Sequence, residues 1–162
     1  MNEIVRKFFP KKMPDLTGKK MIHTERYILF LENNVELRIQ SKDNFYELER
    51  KVKNNEMSRE INIQEITKGE FVLLKKLSIK NIVRDSYILR ESPEIALRIY
   101  RGEFEGLIRL EVDFNSEEEA KNFLPPDDYG VDITNSVLGM DGRLAKLTKE
   151  DFLSELNRIS GS

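Results

Sequence analysis

The chain reads as a mainly antiparallel β domain of the α+β kind. Three observations predict this. Apolar and polar residues alternate along about eight segments, turn residues separate consecutive segments, and helical periodicity is confined to three short stretches.

The elements follow in order. Ile4, Arg6 and Phe8 alternate with Glu3, Val5 and Lys7, which gives a first strand with one apolar and one charged side. Thr24–Leu31 is a second strand. Val35, Leu37 and Ile39 against Glu36, Arg38 and Gln40 make a third, and the intervening Asn33-Asn34 suits a tight hairpin. Lys42-Asp43-Asn44 is the next turn and leads into Phe45–Val52. Ile61 and Ile63 alternate with Glu60, Asn62 and Gln64, which assigns the isoleucines to a core face and Glu60 to the charged one. Lys68–Leu77 then places Phe71, Leu74 and Leu77 at helical spacing.

Ile79–Leu89 and Ile95–Arg101 are further strands, and Gly102 and Gly106 flank the turn that follows. The clearest alternation is Ile108, Leu110, Val112 and Phe114 against Leu107, Arg109, Glu111 and Asp113. Ser116 stands three residues before Glu119, a capping box opening a helix over Ser116–Phe123 that Pro125-Pro126 ends. Thr148 and Asp151 open a last helix over Thr148–Ile159. Consecutive hairpins with few helices imply an antiparallel meander rather than βαβ units. Residues 1–159 are expected to form one domain, with 160–162 a tag remnant or disordered tail.

Composition removes several function classes. Hydrophobic residues make up 39% and charged residues 35% of 162, a globular balance with unusually many charges. There is no cysteine, so disulfides, thiolate metal sites and cysteine nucleophiles are excluded. A lone histidine, His23, cannot build a histidine-based metal site. Lys and Arg (27) nearly balance Asp and Glu (29), which argues against a nucleic-acid binder, whose domain carries net positive charge. No apolar run approaches the roughly 20 residues of a membrane helix, and the start lacks signal-peptide features, so a cytoplasmic location is expected. No glycine-rich phosphate loop is present. Closed symmetry favours a homodimer if the chain self-associates, although no apolar interface stripe is evident.

The charged faces carry both signs on nearly every strand: Lys7, Arg38 and Lys51 beside Glu3, Glu36 and Glu111, for example. Two geometries explain this. An open sheet would turn the charges to water. A closed barrel would turn them inward, where leaving them unpaired costs several kcal/mol per ion and a densely charged ligand would offset that cost. A polyphosphate with a hard divalent cation is such a ligand, since Arg and Lys grip phosphate oxygens while carboxylates hold the metal. Composition does not choose between the two.

The motifs do. Glu3-Ile4-Val5-Arg6-Lys7-Phe8 resembles the Glu-x-Glu-x-Lys opening of the CYTH domain family, the triphosphate tunnel metalloenzymes, which includes class IV adenylate cyclases and thiamine and inorganic triphosphatases. In order, Thr24–Leu29, Val35–Ile39, Leu48-Glu49-Arg50-Lys51, Ser58-Arg59-Glu60-Ile61 and Gly106–Asp113 resemble later strands of that family, over roughly Asn2 to Leu156. The resemblance implies a closed barrel of about eight strands, a tunnel, with a few helices packed outside. It implies metal-dependent hydrolysis of a triphosphate-containing small molecule with Mg²⁺ or Mn²⁺. Adenylate cyclisation and non-catalytic polyphosphate binding are the alternatives. Carried over by position, Glu3, Glu111 and Asp113 would ligate the metal, and Lys7, Arg38, Lys51, Arg84 and Arg109 would bind phosphate oxygens. Lys7 and Glu60 would assist the chemistry. Val5, Ser86 and Arg98 depart from the pattern: a carboxylate is expected at 5, a base at 86 and an acid at 98.

Overall fold

A computed structural model of the chain describes residues 1–161. Eight strands close on themselves: β1 (Asn2–Phe9), β2 (Met21–Glu32), β3 (Val35–Lys42), β4 (Phe45–Lys53), β5 (Ser58–Glu65), β6 (Lys80–Glu91), β7 (Glu94–Arg101) and β8 (Ile108–Phe114). Only β2–β5 and β6–β8 run as consecutive hairpins, and β1 sits between β5 and β8 while β2 pairs with β6, so the uninterrupted meander expected from the turns is not formed. Their order is β5-β4-β3-β2-β6-β7-β8-β1, and β5 returns to pair with β1, so the barrel is complete and every pairing is antiparallel. Closure removes the free edges an open sheet would expose. A two-residue strand, β9 (Val131–Asp132), adds to the far end of β1. Asn33 and Asn34 both adopt positive φ, 52° and 65°, as the tight turn between β2 and β3 requires.

Most of the outward apolar side chains are covered in sections. α1 (Lys68–Lys75) starts at the predicted place, with a reciprocal Thr67–Glu70 capping box, and lays Phe71 against Tyr27, Ile39 and Ile66. α2 (Glu117–Asn122) begins at the Ser116 cap and packs beside β1 and β8. Leu16 and Tyr129 cover the wall formed by Phe8, Leu97 and Leu110. α4 (Lys149–Ser160) buries Phe152 and Leu156 and ends at Gly161, whose positive φ of 77° is the usual left-handed helix stop. Ser160 is thus the last residue of this helix, and Ser162 lies outside the described residues.

One feature was not among the predicted elements. After β9 the chain turns in and plugs one end of the barrel, through a 3₁₀ turn and the four-residue α3 (Asp141–Leu144). Ile133, Leu138 and Leu144 become fully buried with Ile28 and Ile82 of the barrel and Phe152 of α4. Gly139 permits the close approach, because a Cβ there would lie 2.1 Å from the Ile133 carbonyl oxygen. The plug makes one end of the barrel a floor and leaves the other as a mouth.

Candidate functional site

Alternate residues of each strand point inward and enclose a cavity of about 280 Å³, just under the range typical of drug-sized ligand pockets. Among the described residues, nine Lys and Arg side chains and five carboxylates line it. The chain's total charge of −2 thus hides a cationic interior. Of the residues singled out from sequence, Glu3, Lys7, Arg38, Lys51, Arg84, Arg109 and Glu111 all reach this cavity.

The floor is an ionic knot. Asp141, carried in by the plug, accepts hydrogen bonds from Arg26 Nη1 at 2.5 Å, the Tyr100 hydroxyl at 2.6 Å and Arg109 Nη2 at 3.1 Å. Arg84 Nη1 stands 3.5 Å from the same carboxylate. Burial alone would raise the Asp141 pKa, but Arg109, Arg26 and Arg84 together hold it well below the usual carboxylate range. Lys7 Nζ donates to the Gly139 carbonyl at 2.6 Å, and burial followed by the neighbouring Arg59 and Arg109 depresses its pKa well below that of a free lysine.

On the opposite wall Arg38 bridges Glu36 at 2.5 Å and Glu49 at 2.6 Å. Burial pushes both acids up, yet Arg38 chiefly brings each down to about 2. The nearest carboxylate to Lys51 is Glu36, at 3.7 Å; burial lowers its pKa to about 8, with Glu36 partly offsetting. Glu111 accepts from Arg109 at 2.8 Å and Arg98 at 3.2 Å, so this expected metal ligand is already engaged by two guanidinium groups.

Three buried polar atoms in the cavity wall have no partner: Arg59 Nε, Arg84 Nε and Ser86 Oγ. A buried donor left unpaired costs about 1–3 kcal/mol, more when charged, so the wall carries hydrogen-bonding capacity that its own side chains do not meet.

The acidic residues gather at the mouth. Asp113 lies on the inward side of β8 and hydrogen-bonds Glu94 of β7, with Glu3 of β1 close by. Burial first, then the Glu94 bond and the Glu3 charge, push Asp113 up to about 7. All the donors are carboxylate oxygens, the chemistry Mg²⁺ or Mn²⁺ prefers, so the residue types fit such an ion. Among the described residues, however, no three acidic or imidazole side chains are grouped as a ready metal site.

Glu60 does not join the site. On β5 it is Arg59, Ile61 and Ile63 that line the cavity, which turns Glu60 to the outside, where it pairs with the N-terminal amine. The isoleucines misled the sequence reading: their alternation resembles a core-facing stripe, yet they face the lumen. Sequence reasoning also gave no role to Arg26, Arg59, Glu49, Glu94 or Asp141. Arg26 and Arg59 sit within the family-like segments at positions whose inward parity was the available signal; Asp141 offered none.

No family model matches the chain. An inorganic triphosphatase of Nitrosomonas europaea is 26% identical over 137 residues, 83% of this chain and 90% of that protein. The crystal structure of an inorganic triphosphatase superposes with a TM-score of 0.66 at 23% identity, covering 90% of this chain and 95% of the other. A crystal structure described as a putative adenylate cyclase from Bacillus halodurans gives a TM-score of 0.53 at 16% identity, covering 74% and 83%. No helix among the described residues is long and apolar enough to cross a membrane.

Proposed function

Taking as premise that these likenesses support a CYTH-type domain, we propose that the chain hydrolyses the terminal phosphoanhydride of a triphosphate bound in the lumen. The observation that carries this reading is the pair of buried guanidinium donors without partners, Arg59 Nε and Arg84 Nε, within a cavity where cations outnumber carboxylates. A triphosphate supplies both what these donors lack and the negative charge the wall demands. The relative named an inorganic triphosphatase supports the same substrate class.

Phosphoryl transfer asks a protein chiefly for positioning and for offsetting charge on the equatorial oxygens. Arg38, Lys51, Arg59, Arg84 and Lys7 come from five strands of a closed barrel, so their geometry is fixed before the ligand arrives. Glu3, Asp113 and Glu94 would hold a Mg²⁺ or Mn²⁺ ion, whose positive charge would help offset that of the phosphate. Glu111 instead positions Arg98 and Arg109.

Phosphate release from inorganic triphosphate, ATP and thiamine triphosphate, each with Mg²⁺, Mn²⁺ or a chelator, tests the proposal. Metal-dependent release supports it, and cyclic AMP from ATP would indicate a cyclase instead. A second reading, a binding module without turnover, draws on Val5 and Ser86, which stand where the family pattern has a carboxylate and a base. Tight calorimetric binding of triphosphate with background turnover would establish it.

A further inference from the structure

Helix α1 is apolar on two faces. Its inner face carries Phe71 and Leu74, which pack with Tyr27 and Ile39 of the barrel wall. Its outer face carries Val72 and Leu73, 50% and 64% exposed. Helical spacing would send Leu77 inward with Phe71 and Leu74. The helix instead ends at Lys75, and Leu77 is left 64% exposed, with Ile79 at 62% just beyond it. Leu73 and Leu77 are four residues apart, neighbours along the same side. A helix apolar around its whole circumference is normally enclosed, and a contiguous exposed apolar patch marks an interaction surface where scattered single residues do not.

Cations surround this patch. Lys68, Lys75 and Lys76 are exposed, and none of them makes an ion pair among the described residues, whereas the nearby Lys80 is paired with Glu103. Lys76 lies between Val72, Leu73 and Leu77 by helical spacing. The one acid of the helix, Glu70, is turned back to accept from the Thr67 amide. A chain of net charge −2 therefore places unpaired positive charge where it also leaves leucine uncovered. A second copy docking here about a two-fold axis would bring each lysine towards its own equivalents. A phospholipid surface instead offers acyl carbon to the leucines and phosphate oxygens to the lysines.

We propose that α1 docks the barrel on an anionic phospholipid surface. Val72, Leu73, Leu77 and Ile79 enter the boundary between headgroups and acyl chains, and Lys68, Lys75 and Lys76 meet the headgroup phosphates. The attachment is peripheral and reversible, because only a few side chains and no spanning helix contribute to it. It is also separate from the lumen: α1 packs outside the barrel wall, and none of its residues lines the central cavity. The proposal therefore stands whichever anion the lumen takes.

Sedimentation of the whole chain with vesicles tests it, using phosphatidylcholine alone and phosphatidylcholine with about one third phosphatidylglycerol. Binding is expected to the anionic vesicles only, and to weaken as salt rises. Leu73→Gln combined with Leu77→Gln should lower the partition coefficient about tenfold or more. Lys76→Gln should lower it about fivefold. These side chains are exposed, so thermal unfolding of the variants is expected to match that of the native chain. Failure to bind anionic vesicles overturns the proposal, as does equal binding by the native chain and the double leucine variant. Equal binding to neutral and anionic vesicles removes the role of the lysines and overturns it too. A dimer in analytical ultracentrifugation that the double variant converts to a monomer would assign the patch to a second copy of the chain instead.

Discussion

Asp141 Oδ2 lies 2.5 Å from Arg26 Nη1, and this contact fastens the plug to the barrel. The same carboxylate serves Arg84, Arg109 and the Tyr100 hydroxyl, so one acid from a four-residue helix holds side chains of four strands. Breaking a buried ion cluster by removing one partner leaves uncompensated charge and costs about 3–5 kcal/mol. We predict that Asp141→Ala lowers unfolding stability by about that amount in urea titrations. Orthophosphate should recover part of the loss by filling the vacated anion position, as any ligand of the folded state stabilises it. A loss under about 1 kcal/mol, or no recovery, would show that the plug is held by its apolar contacts alone.

Neighbouring residues on β5 give a sharp contrast. Arg59 lines the cavity with an unpartnered Nε, while Glu60 faces away and pairs with the exposed amine of Met1. Hydrogen bonds to charged groups contribute roughly 1.5–3 kcal/mol, so Arg59→Gln is expected to weaken triphosphate binding about tenfold or more by calorimetry. Glu60→Gln should change binding and turnover by less than about twofold, because exposed ion pairs contribute little. Equal effects of the two substitutions would reverse the assignment of strand faces.

The contrast also shows what the sequence made legible. Where a strand has an apolar outside and a charged inside, as in β1 with Ile4 and Phe8 against Glu3 and Lys7, alternation alone assigns the faces. Strand β5 reverses the rule at the mouth, where Ile61 and Ile63 look inward, and the charged partner was then taken as Glu60 instead of Arg59. Hairpins and helix starts were readable because their chemistry is local: Asn33-Asn34, Thr67 with Glu70, and Thr148 accepting from the Asp151 amide. Asp141 was not, since its partners Arg26, Arg84 and Arg109 lie between 32 and 115 residues away in the chain. Nothing in Met140-Asp141-Gly142 announces that they converge.

Val5 stands directly opposite Asp113 in the β1–β8 ladder, on the same side of β1 as Glu3 and Lys7, and is 2% exposed. A carboxylate there would sit between Glu3 and the Asp113–Glu94 pair and complete an oxygen-donor group. We predict that Val5→Glu tightens Mn²⁺ binding in the absence of substrate and raises metal-dependent phosphate release. In the metal-free state it should lower stability, because it adds a buried charge of the same sign. No gain in Mn²⁺ affinity would count against the mouth as the place where a cation binds.

Lys51 supplies a pH test. Burial lowers its pKa from 10.5 to about 8, so the folded group loses its proton while the unfolded chain still holds one. The folded pKa lies below the unfolded one for a base. Its burial therefore disfavours folding below about pH 8, and stability recovers as the pH rises from about 8 towards 10.5. An anion in the lumen acts in the opposite sense, since it favours the charged lysine. Triphosphate binding near pH 8 is therefore expected to take up protons, and affinity should fall as the pH climbs past that point. Titration calorimetry in two buffers of different ionisation heat measures the uptake. Lys51→Arg, whose guanidinium stays charged, should reduce it and flatten the alkaline fall, leaving the share that Lys7, depressed for the same reason, contributes. Binding heats independent of buffer would mean that both lysines are already charged in the empty barrel, and that the anion is attracted without reorganising any proton.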